Sequence, residues 1–102
     1  MKNLCLVGSG SMGRDYASVL KSIEIDFTVI GRGEESARSF EEATGLPVQT
    51  GGLEKLLSAN QEPEMAIVAV GDEQLVPTTK QLIQSGTRRV LLEKPGGPIL
   101  LS

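Results

Sequence analysis

The sequence predicts an α/β domain built on a doubly wound parallel sheet. Three observations carry that expectation. Short apolar runs of strand length alternate with segments whose apolar residues recur every three or four positions. The first run leads directly into a glycine-rich loop, Gly8-Ser9-Gly10-Ser11-Met12-Gly13. The links between segments are short, as βα units require. Such alternation favours parallel strands joined by right-handed crossovers, with helices on both faces. The expected strand order is 3-2-1-4-5.

Taken in order, Leu4-Cys5-Leu6-Val7 is apolar and ends at a glycine, so it reads as a buried strand. Cys5 within it is expected to be a small buried hydrophobe. A helix is expected from about Ser11 to Ser22, with Met12, Tyr16, Ala17, Leu20 and Ile23 on one face. Phe27-Thr28-Val29-Ile30 is aromatic and β-branched, a second strand. Glu34 and Glu35 suit the first turn of a second helix, where carboxylates meet the positive end of the dipole. Ala37, Phe40 and Ala43 form its inner face, and Gly45 stops it.

Pro47 to Thr50 reads as a short third strand, and Leu53, Leu56 and Leu57 as a third helix. Met65 to Val70 is apolar throughout, as a strand covered on both faces should be. Leu75 to Ser85 is a helix with Pro77 in its first turn and Gly86 past its end. Val90-Leu91-Leu92 is the fifth strand. Beyond it the sheet reads as incomplete. No helix follows to cover the strand's edge, and Ile99-Leu100-Leu101 forms an apolar tail. A bare edge and tail imply self-association as a homo-oligomer.

Composition narrows the function. The 102 residues carry a net charge of −3, which disfavours a nucleic-acid partner. Histidine is absent, which removes a Ser-His-Asp triad, a Cys-His pair and a His-ligated metal site. One cysteine makes no intrachain disulfide and no CxxC knuckle, so no metal site is expected. A reduced, cytoplasmic setting follows. The longest apolar run, Met65 to Val70, is far shorter than the ~18 residues of a spanning helix, and Met1-Lys2-Asn3 opens no signal peptide. No membrane is expected.

The glycine loop carries the chemistry. A GxGxxG that follows a strand and opens a helix reads as a dinucleotide site. Gly8 permits the tight turn, Gly10 lets a pyrophosphate approach, and Gly13 lets the helix pack close. Ser9, Ser11 and Met12 complete the loop, whose helix-start N–H groups face the anion. The second strand should end on an acid for the adenosine 2′-hydroxyl. Here that position is Gly31, followed by Arg32. A guanidinium without a carboxylate points to NADP as the preferred cofactor, with NAD possible. The alternative is a solvated Arg32 paired with Glu34 or Glu35. Arg14 and Arg38 could add positive charge nearby. The fourth strand should bring Val70 and Gly71 to the same rim. The expected division is residues 1–95 as the NAD(P)-binding domain and 96–102 as a tail or the start of a missing C-terminal substrate domain.

The loop, the strand Ala66-Ile67-Val68-Ala69-Val70 and above all Val90-Leu91-Leu92-Glu93-Lys94-Pro95 resemble the N-terminal half of the glucose–fructose oxidoreductase/inositol dehydrogenase/rhizopine-catabolism (Gfo/Idh/MocA) family. The resemblance implies a Rossmann domain of an NAD(P)-dependent oxidoreductase acting on a sugar, cyclitol or related hydroxyl compound. It implies that Lys94 is the active-site lysine, that Glu93 and Pro95 flank it beside the nicotinamide, and that Pro95 is a candidate cis-proline. The chain departs from the family after the fourth strand. A Thr-Pro-x-x-x-His-like stretch is usual there, and Gly71-Asp72-Glu73-Gln74 stands in its place. The substrate domain is also missing, so the chain alone is expected to be inactive, its small-molecule substrate belonging to the full-length enzyme. Two alternatives remain: a dinucleotide-binding regulatory module without turnover, and an NADP reductase domain of the 6-phosphogluconate or pyrroline-carboxylate type.

Overall fold

A computed structural model describes residues 4–58, 63–94 and 97–101, with the side chain of Lys94 outside the description. The expectations for Met1-Lys2-Asn3 and for a cis bond at Pro95 lie outside the described residues. The elements are β1 (Leu4–Val7), α1 (Ser11–Ser22), β2 (Thr28–Ile30), α2 (Glu34–Thr44) and β3 (Val48–Gln49). Then come α3 (Gly52–Ser58), β4 (Met65–Val68), α4 (Asp72–Ser85), β5 (Arg89–Lys94) and β6 (Gly97–Leu101). The sheet order is β3-β2-β1-β4-β5-β6, parallel from β3 to β5 as expected.

The period of two along each strand divides the core into two faces. Leu4, Leu6, Val29, Ile67 and Ala69 pack with Ala17 and Leu20 of α1 and Phe40 of α2. Cys5, Val7, Ile30, Ala66, Val68 and Val90 face Leu53 and Leu56 of α3 and Leu75 and Leu82 of α4. The result is a three-layer α/β domain. Burial pushes the Cys5 thiol up to about 11. It should therefore resist alkylation by iodoacetamide at pH 8 while folded and react on unfolding in urea. Equal rates in both states would contradict this packing.

Several expectations change. The edge of β5 is covered: β6 pairs with it antiparallel, from Val90↔Leu101 to Lys94↔Gly97. The apolar run read as a tail thus satisfies the strand edge instead, and the chain reverses with Gly97 at φ 125°, a conformation open to glycine. Ile99 and Leu100 remain exposed on β6.

The inner face of α1 is Gly13, Ala17 and Leu20. Met12 and Ile23 are exposed, because Met12 stands at the rim and Ile23 is already the C-cap. Ala43 is likewise exposed, one position before α2 ends. α4 starts a turn earlier than expected, so Pro77 lies in its second turn. Gly71 in extended backbone starts it, and Asp72 and Glu73 suit its positive end.

Candidate functional site

At the carboxyl ends of β1, β2 and β4 a crevice of about 430 Å³ opens, where doubly wound sheets hold their ligands. The glycine loop forms its floor. Gly8 has φ 124°, and a Cβ there would overlap the carbonyl oxygen of Ala69. That close approach follows from the ladder. Ala69 donates its N–H to Val7 at 2.9 Å, while Gly8 donates to the Ile30 carbonyl at 2.8 Å. A Cβ on Gly13 would overlap the Gly8 carbonyl, so glycine brings α1 against the loop. Gly10 differs: no atom lies within 4 Å of a Cβ there. Its side faces open space, and no side chain caps α1.

Gly8, Ser9, Gly10, Ser11, Met12, Gly31, Arg32, Val70 and Gly71 all line the crevice. Gly13 stands behind it as a packing residue, and Glu93 lies outside its lining. Ser36, Gly52, Leu53, Gln74 and Thr78 also line it and were missed from the sequence. Ser36 had a legible signal, since it follows Gly33 in the first turn of α2. It shares a 2.6 Å hydrogen bond with Ser9, tying α2 to the loop. Gln74 falls in the stretch after the fourth strand where the chain departs from the family, in the first turn of a helix that starts earlier than its apolar spacing suggested, and Thr78 is one polar residue within that helix, with nothing to single it out.

Arg32 pairs with Glu54, at 3.1 Å from Nη2 to Oε2, and not with Glu34 or Glu35. Two left-handed glycines explain the difference. Gly51 (φ 99°) and Gly52 (φ 75°) turn the chain so that α3 begins beside β2. Glu54 has its carboxyl held below the ordinary range, first by its own backbone N–H and then by Arg32, against a raising effect of burial.

On the other side of α1, Tyr16 donates its hydroxyl hydrogen bond to Glu93 Oε1. That bond, with burial and the carboxylate's charge, pushes the Tyr16 phenol up to about 12. Met12, Asp15, Tyr16, Val19 and Glu93 line a smaller cleft beside the main one, with Met12 shared by both. The register places Val7, Val68 and Leu92 in one row across β1, β4 and β5. The backbone of Lys94 therefore lies on the same rim as the glycine loop, roughly 10 Å across two strand spacings.

The residues present fit a dinucleotide. The uncapped start of α1 supplies N–H donors for a pyrophosphate, and Gly10 leaves its approach clear. Arg32 stands at the β2 end, where an adenosine ribose would lie.

The chain matches the model of an oxidoreductase family with an NAD-binding Rossmann fold, Gfo/Idh/MocA, over residues 2–97. It is similar to the structure of GenD2 from gentamicin A biosynthesis in complex with NAD, at 30% identity and a TM-score of 0.73. That likeness covers 93% of this chain and 27% of GenD2. The WlbA dehydrogenase from Bordetella pertussis, in complex with NADH and UDP-GlcNAcA, is 20% identical with a TM-score of 0.71, covering 93% of this chain and 30% of that one. UDP-N-acetylglucosamine 3-dehydrogenase GnnA from Acidithiobacillus ferrooxidans is 18% identical with a TM-score of 0.68, over 93% and 30% of the two chains. The last two likenesses are of fold. No curated protein matches. The chain thus spans less than a third of the length of these structures.

Proposed function

The chain belongs to the Gfo/Idh/MocA oxidoreductase family, with its NAD-binding Rossmann fold, and from that premise we propose that it is the dinucleotide-binding part of an NADP(H)-preferring oxidoreductase. The observation that carries this reading is the crevice whose floor is Gly8 to Met12 and whose β2 wall is Gly31 and Arg32. The helix start binds the pyrophosphate, and Arg32 takes the 2′-phosphate. When bound, the nicotinamide supplies hydride transfer.

The substrate is a small hydroxyl or carbonyl compound of the sugar or cyclitol class, held by a second half that completes the longer relatives. Lys94 holds or moves the proton at the substrate oxygen, and the chain alone does not turn over. Exposed Ile99 and Leu100 support a homo-oligomer, and the buried free Cys5 supports a reducing cytoplasmic setting. No helix among the described residues is long and apolar enough to cross a membrane.

Calorimetric titration with NADPH and NADH, side by side, tests the reading. NADPH should bind more tightly. Arg32→Ala should cost NADPH about 1.5–3 kcal/mol, the range for a hydrogen bond to a charged group, and leave NADH nearly unchanged. Equal wild-type affinities, or a preference for NADH, would refute the NADP(H) assignment.

A further inference from the structure

Position 31, just past β2, has no room for an acid. A Cβ on Gly31 would lie 2.8 Å from Ser9 Oγ and 2.9 Å from Val48 Cγ1. Ser9 cannot easily yield, since it is buried and bonded to Ser36. With position 31 closed to a side chain, the carboxylate found beside the end of β2 comes from α3. Gly52 donates its N–H to the Gly31 carbonyl at 3.0 Å, fixing the start of α3 against the end of β2. A Cβ on Gly52 would lie 2.6 Å from Glu54 Oε1 and 3.2 Å from Arg32 Cζ. Glycine at that position leaves the space in which the two side chains meet. Their bond is the only ion pair among the described residues. Arg32, Gly52 and Leu53 line the crevice; Glu54 lies just outside that lining and reaches its edge through the bond to Arg32.

We propose that Glu54 is a second cofactor-specificity residue, which restrains the preference for NADP(H) by holding Arg32 and offering a carboxylate to the adenosine 2′-hydroxyl. The inference rests on the dinucleotide reading above. Paired, the two side chains sum to zero charge, so a 2′-phosphate meets a neutral wall in place of a free cation. To engage Arg32 bidentately it must displace or share the Glu54 oxygen, and it is repelled by that oxygen as it arrives. A 2′-hydroxyl meets the opposite case, because a carboxylate accepts its hydrogen bond. Arg32 and Glu54 therefore pull the selectivity in opposite directions. The effect is moderate, because the side chains are 60% and 52% exposed and water screens them.

The test is a double-mutant cycle on the chain, with wild type, Arg32→Ala, Glu54→Gln and the double variant titrated with NADPH and NADH. Circular dichroism confirms that each variant is folded. Glu54→Gln should raise the NADPH-to-NADH affinity ratio about fivefold, the upper range for an exposed pair. In the Arg32→Ala background the same substitution should change the ratio by less than half as much. If Arg32→Ala lowers the ratio while Glu54→Gln leaves it unchanged, the role of Glu54 is overturned and the dinucleotide reading stands. If the wild type binds neither dinucleotide, the reading itself fails and the inference falls with it.

Discussion

Alanine at Gly10 is expected to weaken dinucleotide binding strongly in a chain that still folds, whereas alanine at Gly13 should damage the fold itself. Both glycines belong to the same loop, yet their surroundings are opposite. The Cβ of an alanine at position 10 would enter open space, and the backbone there (φ −88°, ψ −161°) is accessible to any residue. Stability should stay within about 1 kcal/mol, the scale of a glycine-to-alanine change at an N-cap. The new methyl would occupy the approach a pyrophosphate needs, and affinity should fall by about 10- to 100-fold, the overpacking cost of about 1–3 kcal/mol expressed as a binding constant. At position 13 the Cβ would overlap the Gly8 carbonyl, a backbone atom that cannot rotate away. Overpacking of this kind costs about 3 kcal/mol, offset by roughly 1 kcal/mol of better helix propensity. Urea denaturation beside calorimetric titration separates the two outcomes. Equal stability losses in both variants would contradict the close contact of α1 with the loop.

On the proposed function, Lys94→Ala in the oxidoreductase with its substrate-binding half should lower kcat by about 100-fold or more, the size of a lost proton-transfer group. Cofactor affinity should hardly change. The register across β1, β4 and β5 puts the Lys94 backbone on the rim that carries the glycine loop. If the adenosine end of the cofactor leans toward Arg32 at β2, the nicotinamide end extends the other way, toward β4 and β5. Glu93, the neighbour of Lys94, is itself held by Tyr16 of α1, the helix that starts at the loop. Steady-state kinetics together with NADPH titration would check this. An unchanged kcat, or an equal loss of cofactor affinity, would remove Lys94 from the proton-transfer role.

The parallel sheet and its order were legible because each strand is an uninterrupted apolar run and each link is short. The glycine loop was legible because sequence context gives GxGxxG its meaning. Helix faces were less so. Periodicity put Met12 and Ile23 on the inner side of α1, but a residue at either end of a helix projects beyond the sheet it packs on. The β6 pairing was missed because an apolar run after two glycines and a proline reads equally as a tail. The partner of Arg32 was missed for another reason. Glu34 and Glu35 are close in sequence, whereas Glu54 reaches Arg32 only through the turn at Gly51 and Gly52. Contacts made by a left-handed turn between distant elements leave no period to read.

The bond between Tyr16 and Glu93 also gives the molecule an optical signature. The chain has one tyrosine and no tryptophan, so its intrinsic ultraviolet emission comes from the phenol that bridges α1 and the end of β5. A carboxylate accepting the phenolic hydrogen bond offers the excited ring a base for its proton, which dims that emission. Any event that separates the glycine-loop helix from the Glu93 corner would therefore brighten a tyrosine signal free of tryptophan emission, and the chain needs no attached dye to report it.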